Sequence, residues 1–385
     1  MLVSSDFAFP GSGAPVARDL ERVREVEITP LPGWEDSTVQ DTISFYIPPA
    51  NPGEMMSSTY SLDQTFKAVA MDGSNLPATV EVAYLSMPVG SFYHTARLGM
   101  NTQTVEGNNS DWAQRTWLVA NLCLSQFAKS SFAGPLYGYY PDAAALAQKT
   151  ATKENPNWNI RMLQMTGSKE VVFTRMKLRV KYLTPSASIY GNIMSRLNSS
   201  GLSYPFYSME IVQRYAVTGG LSEVTYMVLN GELPDVLLFY VLPTTLLNYS
   251  FTNNVQDANT GYIKSLQVTA AGEFYPPQPL DCQEKTGGML ACYRQFLDIS
   301  KALGGDGSTK YNKYGYGFFM IPIVLSHHLP SLRYQTERRS GLVTVRIIMD
   351  DSNITLFPQD KTIFTMGVKT KTLHIGKYGA VHVPS

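Results

Sequence analysis

The sequence has few cysteines, few histidines, few charges and no surplus of either sign, and each shortage removes a class of protein. Its three cysteines, Cys123, Cys282 and Cys292, are too few for a disulfide framework and make no Cys-x-x-Cys pair, so they are expected as free, buried thiols in a reducing compartment. His327-His328 lies far from any cysteine in sequence, which leaves no zinc-ligand spacing. Lys plus Arg and Asp plus Glu each number 31, a formal net charge of zero. Such a chain has no sequence-independent attraction for a phosphate backbone, which excludes a genome-condensing role and any nucleic-acid partner won by charge alone. Balanced charge also weakens colloidal repulsion, a liability in a monomer but tolerable in a protein that assembles. Apolar runs are short: the longest, around Val236 to Leu242, falls well below the roughly 20 residues of a membrane-spanning helix. The opening MLVSSDFAFPGSGAPVARDL lacks the basic start and apolar run of a secretory signal. A soluble protein made in the cytosol, without a membrane span, is the expectation. The sequons at Asn108, Asn198, Asn248 and Asn353 mean little without a secretory route.

Catalytic signatures are missing as well. There is no Gly-x-x-x-x-Gly-Lys-Ser/Thr, no Gly-x-Ser-x-Gly, no His-Glu-x-x-His and no EF-hand loop. Gly315-Tyr316-Gly317 has no third glycine at dinucleotide-binding spacing and reads as a close backbone approach. Glu35-Asp36 and Asp350-Asp351 are adjacent carboxylates, which point to opposite faces of a strand and make no acid/base dyad. His94 and His374 lie in strand-like runs. The chain is therefore read as no enzyme, with no catalytic, cofactor-binding or metal-binding residue and no cofactor.

What is abundant is β-forming sequence: 23 Tyr and 17 Phe with 29 Gly and 23 Pro in 385 residues, the mark of many short strands joined by turn-rich loops and of about two domains. Leu221–Thr269 carries three apolar runs, Leu221–Leu229, Val236–Val241 and Tyr262–Val268, parted by Asn230-Gly231-Glu232-Leu233-Pro234 and an Asn-rich loop. Asn230-Gly231 predicts the positive φ angles of a tight hairpin turn. Earlier, Val39–Ile47 alternates, with Val39, Ile43, Phe45 and Ile47 opposite Gln40, Thr42, Ser44 and Tyr46, and predicts a half-buried strand. TYSLDQTFKAVAMDG and VEVAYLSM read as strands, SFYHTARLGMNTQTV as a strand pair, and TWLVANLCLSQF as strand or short helix. Ala128–Trp158 loses periodicity and predicts a long loop around one short helix, DAAALAQKTATK. In Val171–Leu183 the residues Val172, Met176, Leu178, Val180 and Tyr182 oppose Arg175, Lys177, Arg179 and Lys181, a solvated basic sheet face. Leu197–Ser208 is the candidate linker between two strand-rich halves. PPQPL and Asp281–Gly288 predict loop, CYRQFLDISKAL an amphipathic helix stopped by Gly304-Gly305, and YGFFMIPIV, Leu342–Met349 and Lys361–Ile375 further strands. The late strand of each half follows a Gly/Ser pair, Gly167-Ser168 and Ser340-Gly341, which hints at duplication.

The order NG-x-LPD-x-LLFYVLP, Asn-rich loop, YI-x-SL-x-V-x-x-x-G, PPQPL, CYRQFLDISKALG resembles the second half of the double jelly-roll major capsid proteins, or hexon-like proteins, of Maverick/Polinton-type elements, adintoviruses and adomaviruses. SFYHTARLGMN, VVFTRMKLRVKYL, YGYGFFMIPI, SGLVTVRIIMD and a closing strand pair ending HIGKYGAV extend the resemblance over roughly residues 35 to 380. It implies an all-β fold of two consecutive eight-stranded jelly-roll sandwiches with short helices in long loops. The first would occupy residues 26–200 and the second 201–385 with a tail, after an N-terminal arm, residues 1–25, that has no counterpart in the family pattern. It implies a structural subunit of a homotrimeric, pseudo-hexagonal capsomer in an icosahedral virion. Its partners would be copies of itself, neighbouring capsomers and penton or minor capsid proteins, with no sequence-specific nucleic acid. Ala128–Trp158 and Asp281–Tyr314 would cap the trimer. The place is the virion capsid, after synthesis in the host cytoplasm and assembly there or in the host nucleus. Two rivals stay open: a five-fold penton-type minor capsid protein, and a two-sandwich carbohydrate-binding protein or glycosidase using Trp112, Trp117 and Trp158.

Overall fold

In the first half, residues that alternate apolar with charged build one described sheet. The computed structural model describes residues 20–32, 42–70, 72–75, 93, 95–101, 103–107, 111–131, 169–218, 221–244, 258–259, 262–307, 309–317, 319–326, 329–330, 339–350, 360–377 and 380–383. Strands β1 (Leu20–Ile28), β2 (Met55–Ala70), β3 (Arg97–Met100) and β4 (Gln103–Gly107) are followed by helices α1 (Trp112–Cys123) and α2 (Gln126–Ser131), strand β5 (Lys169–Pro185) and helix α3 (Ala187–Ser199). The sheet order is β1-β5-β2, all antiparallel, and among the described residues β3 pairs with β4 alone. The expected strand of Val171–Leu183 is thus central. Its even residues go inward: Met176, Val180 and Tyr182 are buried.

Several expectations change here. The charged stretch assigned to an arm is strand β1 from Leu20 onward, because its acids lie beside the cations of β5 and its backbone completes a ladder. Residues 42–50 keep the predicted alternation, with Ile43, Phe45 and Ile47 half-buried, yet belong to no strand. TWLVANLCLSQF is helical, since Leu118 and Leu122 at i, i+4 reach one core. The linker contracts to Ser200-Gly201: Leu197–Ser199 end α3, and Leu202 already starts the next strand. VEVAYLSM, DAAALAQKTATK and most of Ala128–Trp158 lie outside the described residues.

The second half contains β6 (Leu202–Val217), β7 (Glu223–Glu232), β8 (Val236–Pro243), the bridge β9 (Ala258–Asn259), β10 (Ile263–Ala270), β11 (Glu273–Asp281), α4 (Gly288–Ala302), α5 (Tyr311–Gly315), the bridge β12 (Tyr316–Gly317), β13 (Met320–Val324), β14 (Ser340–Met349), β15 (Lys361–Ile375) and β16 (Val381–His382). Its eight principal strands form two antiparallel sheets, β6-β15-β8-β13 and β7-β14-β10-β11. Counted one to eight in chain order, the sheets read 1-8-3-6 and 2-7-4-5. Only the fourth and fifth strands are joined within a sheet, and every other connection crosses between sheets, which is the jelly roll.

That topology corrects the expected hairpin at Asn230-Gly231. Both residues lie in β7 opposite Leu342 and Gly341, and the chain then crosses to the other sheet through Leu233–Asp235. Asp235 holds the crossing: its carboxylate accepts from the amide and hydroxyl of Thr370, both at 2.9 Å, and its own amide donates to the Val368 carbonyl. The true two-residue hairpin is Ala271-Gly272, with φ of 50° and 87°, between β10 and β11. PPQPL is not loop but part of β11, at a sheet edge where proline removes no ladder bond.

Burial separates two kinds of strand. In β14, Val343, Val345, Ile347 and Met349 are buried while Arg346 is exposed, a sheet with one dry face. Val236–Leu242 of β8 are all at most 3% exposed, so both faces are covered. Phe296 and Ile299 of α4 and Leu118 and Leu122 of α1 belong to the same core. Within Asp281–Tyr314, the amphipathic helix expected at CYRQFLDISKAL is α4, packed into the core and starting four residues earlier, at Gly288.

Candidate assembly surfaces

A basic strand face is the first surface to examine, because four cations in a row would suit phosphate. The structure pairs three of them, Lys177, Arg179 and Lys181, with acids instead. Arg179 contacts Glu25 and Glu27 at 3.2 Å each and Asp63 at 2.6 Å; Lys177 pairs with Glu27, and Lys181 lies 3.8 Å from Glu25. The hydrogen bond from Lys177 holds the Glu27 carboxyl below its usual range. On the opposite face Arg24 is bound to Glu54 through two nitrogens and lies 4.5 Å over the Tyr182 ring. This comb of alternating charges fixes strand register and leaves little free positive field.

Helix α3 presents the opposite situation. Ile189, Tyr190, Ile193, Met194 and Leu197 recur at i, i+3 and i+4 and are half-buried; the other residues are exposed, and none of the helix is buried. Arg196 is its single charge. A 13-residue helix is marginal in water without a packed apolar face, and this stripe is only half covered. The linker expectation passed over the signal, which the spacing of these five residues already carried.

A second uncovered apolar surface is the outer face of sheet β7-β14-β10-β11. Pairing places Phe274, Thr269, Thr344 and Met227 in one row across the four strands. Phe274 and Met227 are each 57% exposed and Leu342, two residues from Thr344, is 48% exposed. Two large side chains thus flank two small ones, roughly 14 Å apart at ordinary strand spacing, enough to seat a helix about 10 Å wide. Along the strands the face becomes polar, where Arg346 meets Glu223 at 2.6 Å and holds that carboxyl low.

Inside the chain, α1 joins the halves. Ser300 Oγ donates to the Leu122 carbonyl at 2.7 Å, the Gln126 amide donates to Asp306 at 2.6 Å, and Arg115 donates to the Met209 carbonyl. A Cβ on Gly305 would stand 2.4 Å from the Leu122 oxygen, so only glycine allows this approach.

Residues singled out for chemistry do not converge. Trp112 and Trp117 lie on α1, and Trp117 is 4% exposed, which removes it as a sugar platform; Trp158 lies outside the described residues. His374 bonds Ser203 at 2.8 Å across paired strands. Asp350 accepts from Gln283 at 2.9 Å; Asp351, Glu35-Asp36, His94 and His327-His328 lie outside the described residues. The cleft of about 510 Å³ beside Lys264, Lys285 and Asp350 carries mixed charge. No group of three metal-ligating side chains is found among the described residues, and no helix among them is long and apolar enough to cross a membrane. Cys282 and Cys292 are buried free thiols, as expected, and Cys123 is half-buried.

No protein-family model and no curated protein matches the sequence. By structure the chain is similar to a chain of the Sputnik virophage seen by cryo-electron microscopy, at 12% identity and a TM-score of 0.54, over 100% of this chain and 92% of that one. It is similar to VP54 of PBCV-1 at 9% identity and 0.53, over 97% and 99%. The mavirus major capsid protein gives 11% identity and 0.51, over 100% and 95%. These neighbours are viral double jelly-roll major capsid proteins, and the chain shares their fold.

Proposed function

We propose that the chain is a major capsid protein that assembles as a homotrimer of pseudo-hexagonal outline and tiles an icosahedral shell. The observation that carries this reading is the full-length likeness to viral capsid proteins, joined to a complete 1-8-3-6 and 2-7-4-5 sandwich in the second half. The first half supports a second jelly roll: β5 lies between β1 and β2 as β15 lies between β6 and β8. The repeat therefore matches β5 with β15, not with β14 as the Gly/Ser pairs had suggested. With all of β1 counted in, residues 20–200 and 201–385 are the two sandwiches of this reading.

A closed three-fold ring needs two different surfaces on each chain. We assign them to the apolar stripe of α3 and the Phe274–Met227 row. One helix carries a single cation and the other surface is uncharged along its row, so their contact strands no buried acid. The partners are further copies, neighbouring capsomers and vertex proteins, in a virion of the Maverick, adintovirus or adomavirus kind, made in the host cytoplasm. Light scattering on the purified chain tests the reading. Three times 42.7 kDa, about 128 kDa, is the expected mass; a pentamer would indicate a vertex protein, and a stable monomer would overturn the assembly.

A further inference from the structure

Two of the three cysteines meet inside the second sandwich. Cys282 directly follows β11, where its amide donates to the Lys264 carbonyl at 2.9 Å. Cys292 belongs to the buried stripe of α4 with Met289, Phe296 and Ile299. Their Sγ atoms are 4.0 Å apart, and both residues are 0% exposed.

The turn between them is built to bring them together. Asp281 accepts from the Gln283 amide at 3.0 Å and from the Thr286 hydroxyl, which folds the chain back on itself. Gly287 follows at φ 80°, and a Cβ on Gly288 would stand 2.5 Å from the Asp281 oxygen. The first turn of α4 is thereby pressed against the end of β11, with Cys292 over Cys282. Cys123 lies apart on α1.

We infer that Cys282 and Cys292 are an intrachain disulfide site, open while the protein is in a reducing compartment and closed by a disulfide oxidant outside it. Bond formation needs each sulfur to move about 1 Å from van der Waals contact toward the ~2.05 Å of an S–S bond. Both thiols give up their protons and one S–S bond forms. The oxidant's own S–S bond breaks, takes the two electrons and two protons, and leaves as two thiols. Closure would staple α4 to β11 at the edge of the core that α4 completes. The hydrogen bond with Cys292 and burial hold the Cys282 thiol above its ordinary range, so exchange is slow and accelerates with pH.

The test incubates the full-length folded chain with oxidised glutathione and compares it with a dithiothreitol control. Expected are an intact mass lower by about 2 Da, one alkylatable thiol instead of three, a Cys282–Cys292 linked peptide, and melting about 5 °C higher. C123S should keep the mass loss, the linked peptide and the melting shift, with no alkylatable thiol left instead of two; C282S and C292S should each abolish the effects. Three alkylatable thiols after prolonged oxidation of folded protein, or a link that involves Cys123 or a second chain, overturns the inference. These readouts do not depend on oligomeric state, so they stand or fall apart from the capsomer reading.

Discussion

Lys129 shows how one buried charge can be read as a cost. It is 8% exposed, and its ammonium donates to the Asn121 carbonyl at 2.8 Å. Desolvation lowers its pKa to about 8, against a smaller raising effect from Asp306. Below pH 8 both folded and unfolded chains are protonated there, and the folded one bears the full desolvation cost. Between about 8 and the ordinary lysine value the unfolded chain binds more protons, so stability from this site rises with pH. Lys129→Met is expected to stabilise by about 1–3 kcal/mol at pH 7 and by much less at pH 10. Denaturant titrations of both proteins at the two pH values check this; an equal gain at both would show that apolar packing, not charge, is the cause. Nothing in the sequence marked this lysine, because its burial depends on α1 and on Asp306 from beyond α4.

Elements differ in how much of their cover the chain itself supplies. Because the α3 stripe is only half-buried, charge on it costs the isolated subunit less than it costs an interface, where it costs several kcal/mol. Ile193→Glu combined with Leu197→Glu should therefore leave the circular dichroism of the subunit unchanged while the light-scattering mass falls from trimer to monomer; a trimer that survives removes α3 from the contact. Strands were the most legible part of the sequence. β5, β8, β10, β14 and β15 follow from period-two patterns or continuous apolar runs, since local side-chain order alone fixes which face is dry. The misread elements depended on distant partners. Leu20–Ile28 looks like a charged arm until β5 is placed beside it, and Asn230-Gly231 looks like a hairpin until β14 pairs with it. Pro276, Pro277 and Pro279 looked like loop because proline's preference for a sheet edge says nothing about where an edge will be. As for assembly surfaces, the α3 stripe was legible from spacing, whereas the Phe274–Met227 row draws one residue from each of four strands and needs the register.

At the scale of the molecule, the halves are held by a helix that belongs to one by sequence and to the other by packing. Leu118 and Leu122 of α1 are 0% exposed within the core of the second sandwich. Leu122→Ala should destabilise the whole chain by about 2–5 kcal/mol, seen as one shifted transition in differential scanning calorimetry; a shift confined to an early partial transition would show that the halves unfold separately. The proline-bearing edge of β11 has a further consequence. A subunit of zero net charge, concentrated as the proposed assembly requires, would meet its neighbours with little electrostatic repulsion, and a bare sheet margin would let them join backbone to backbone into fibres. Three prolines in nine residues withhold the amides such growth requires. In the proposed assembly, subunits that collide at this margin would separate again, and association would be steered to side-chain contacts that can be undone before a closed particle is sealed.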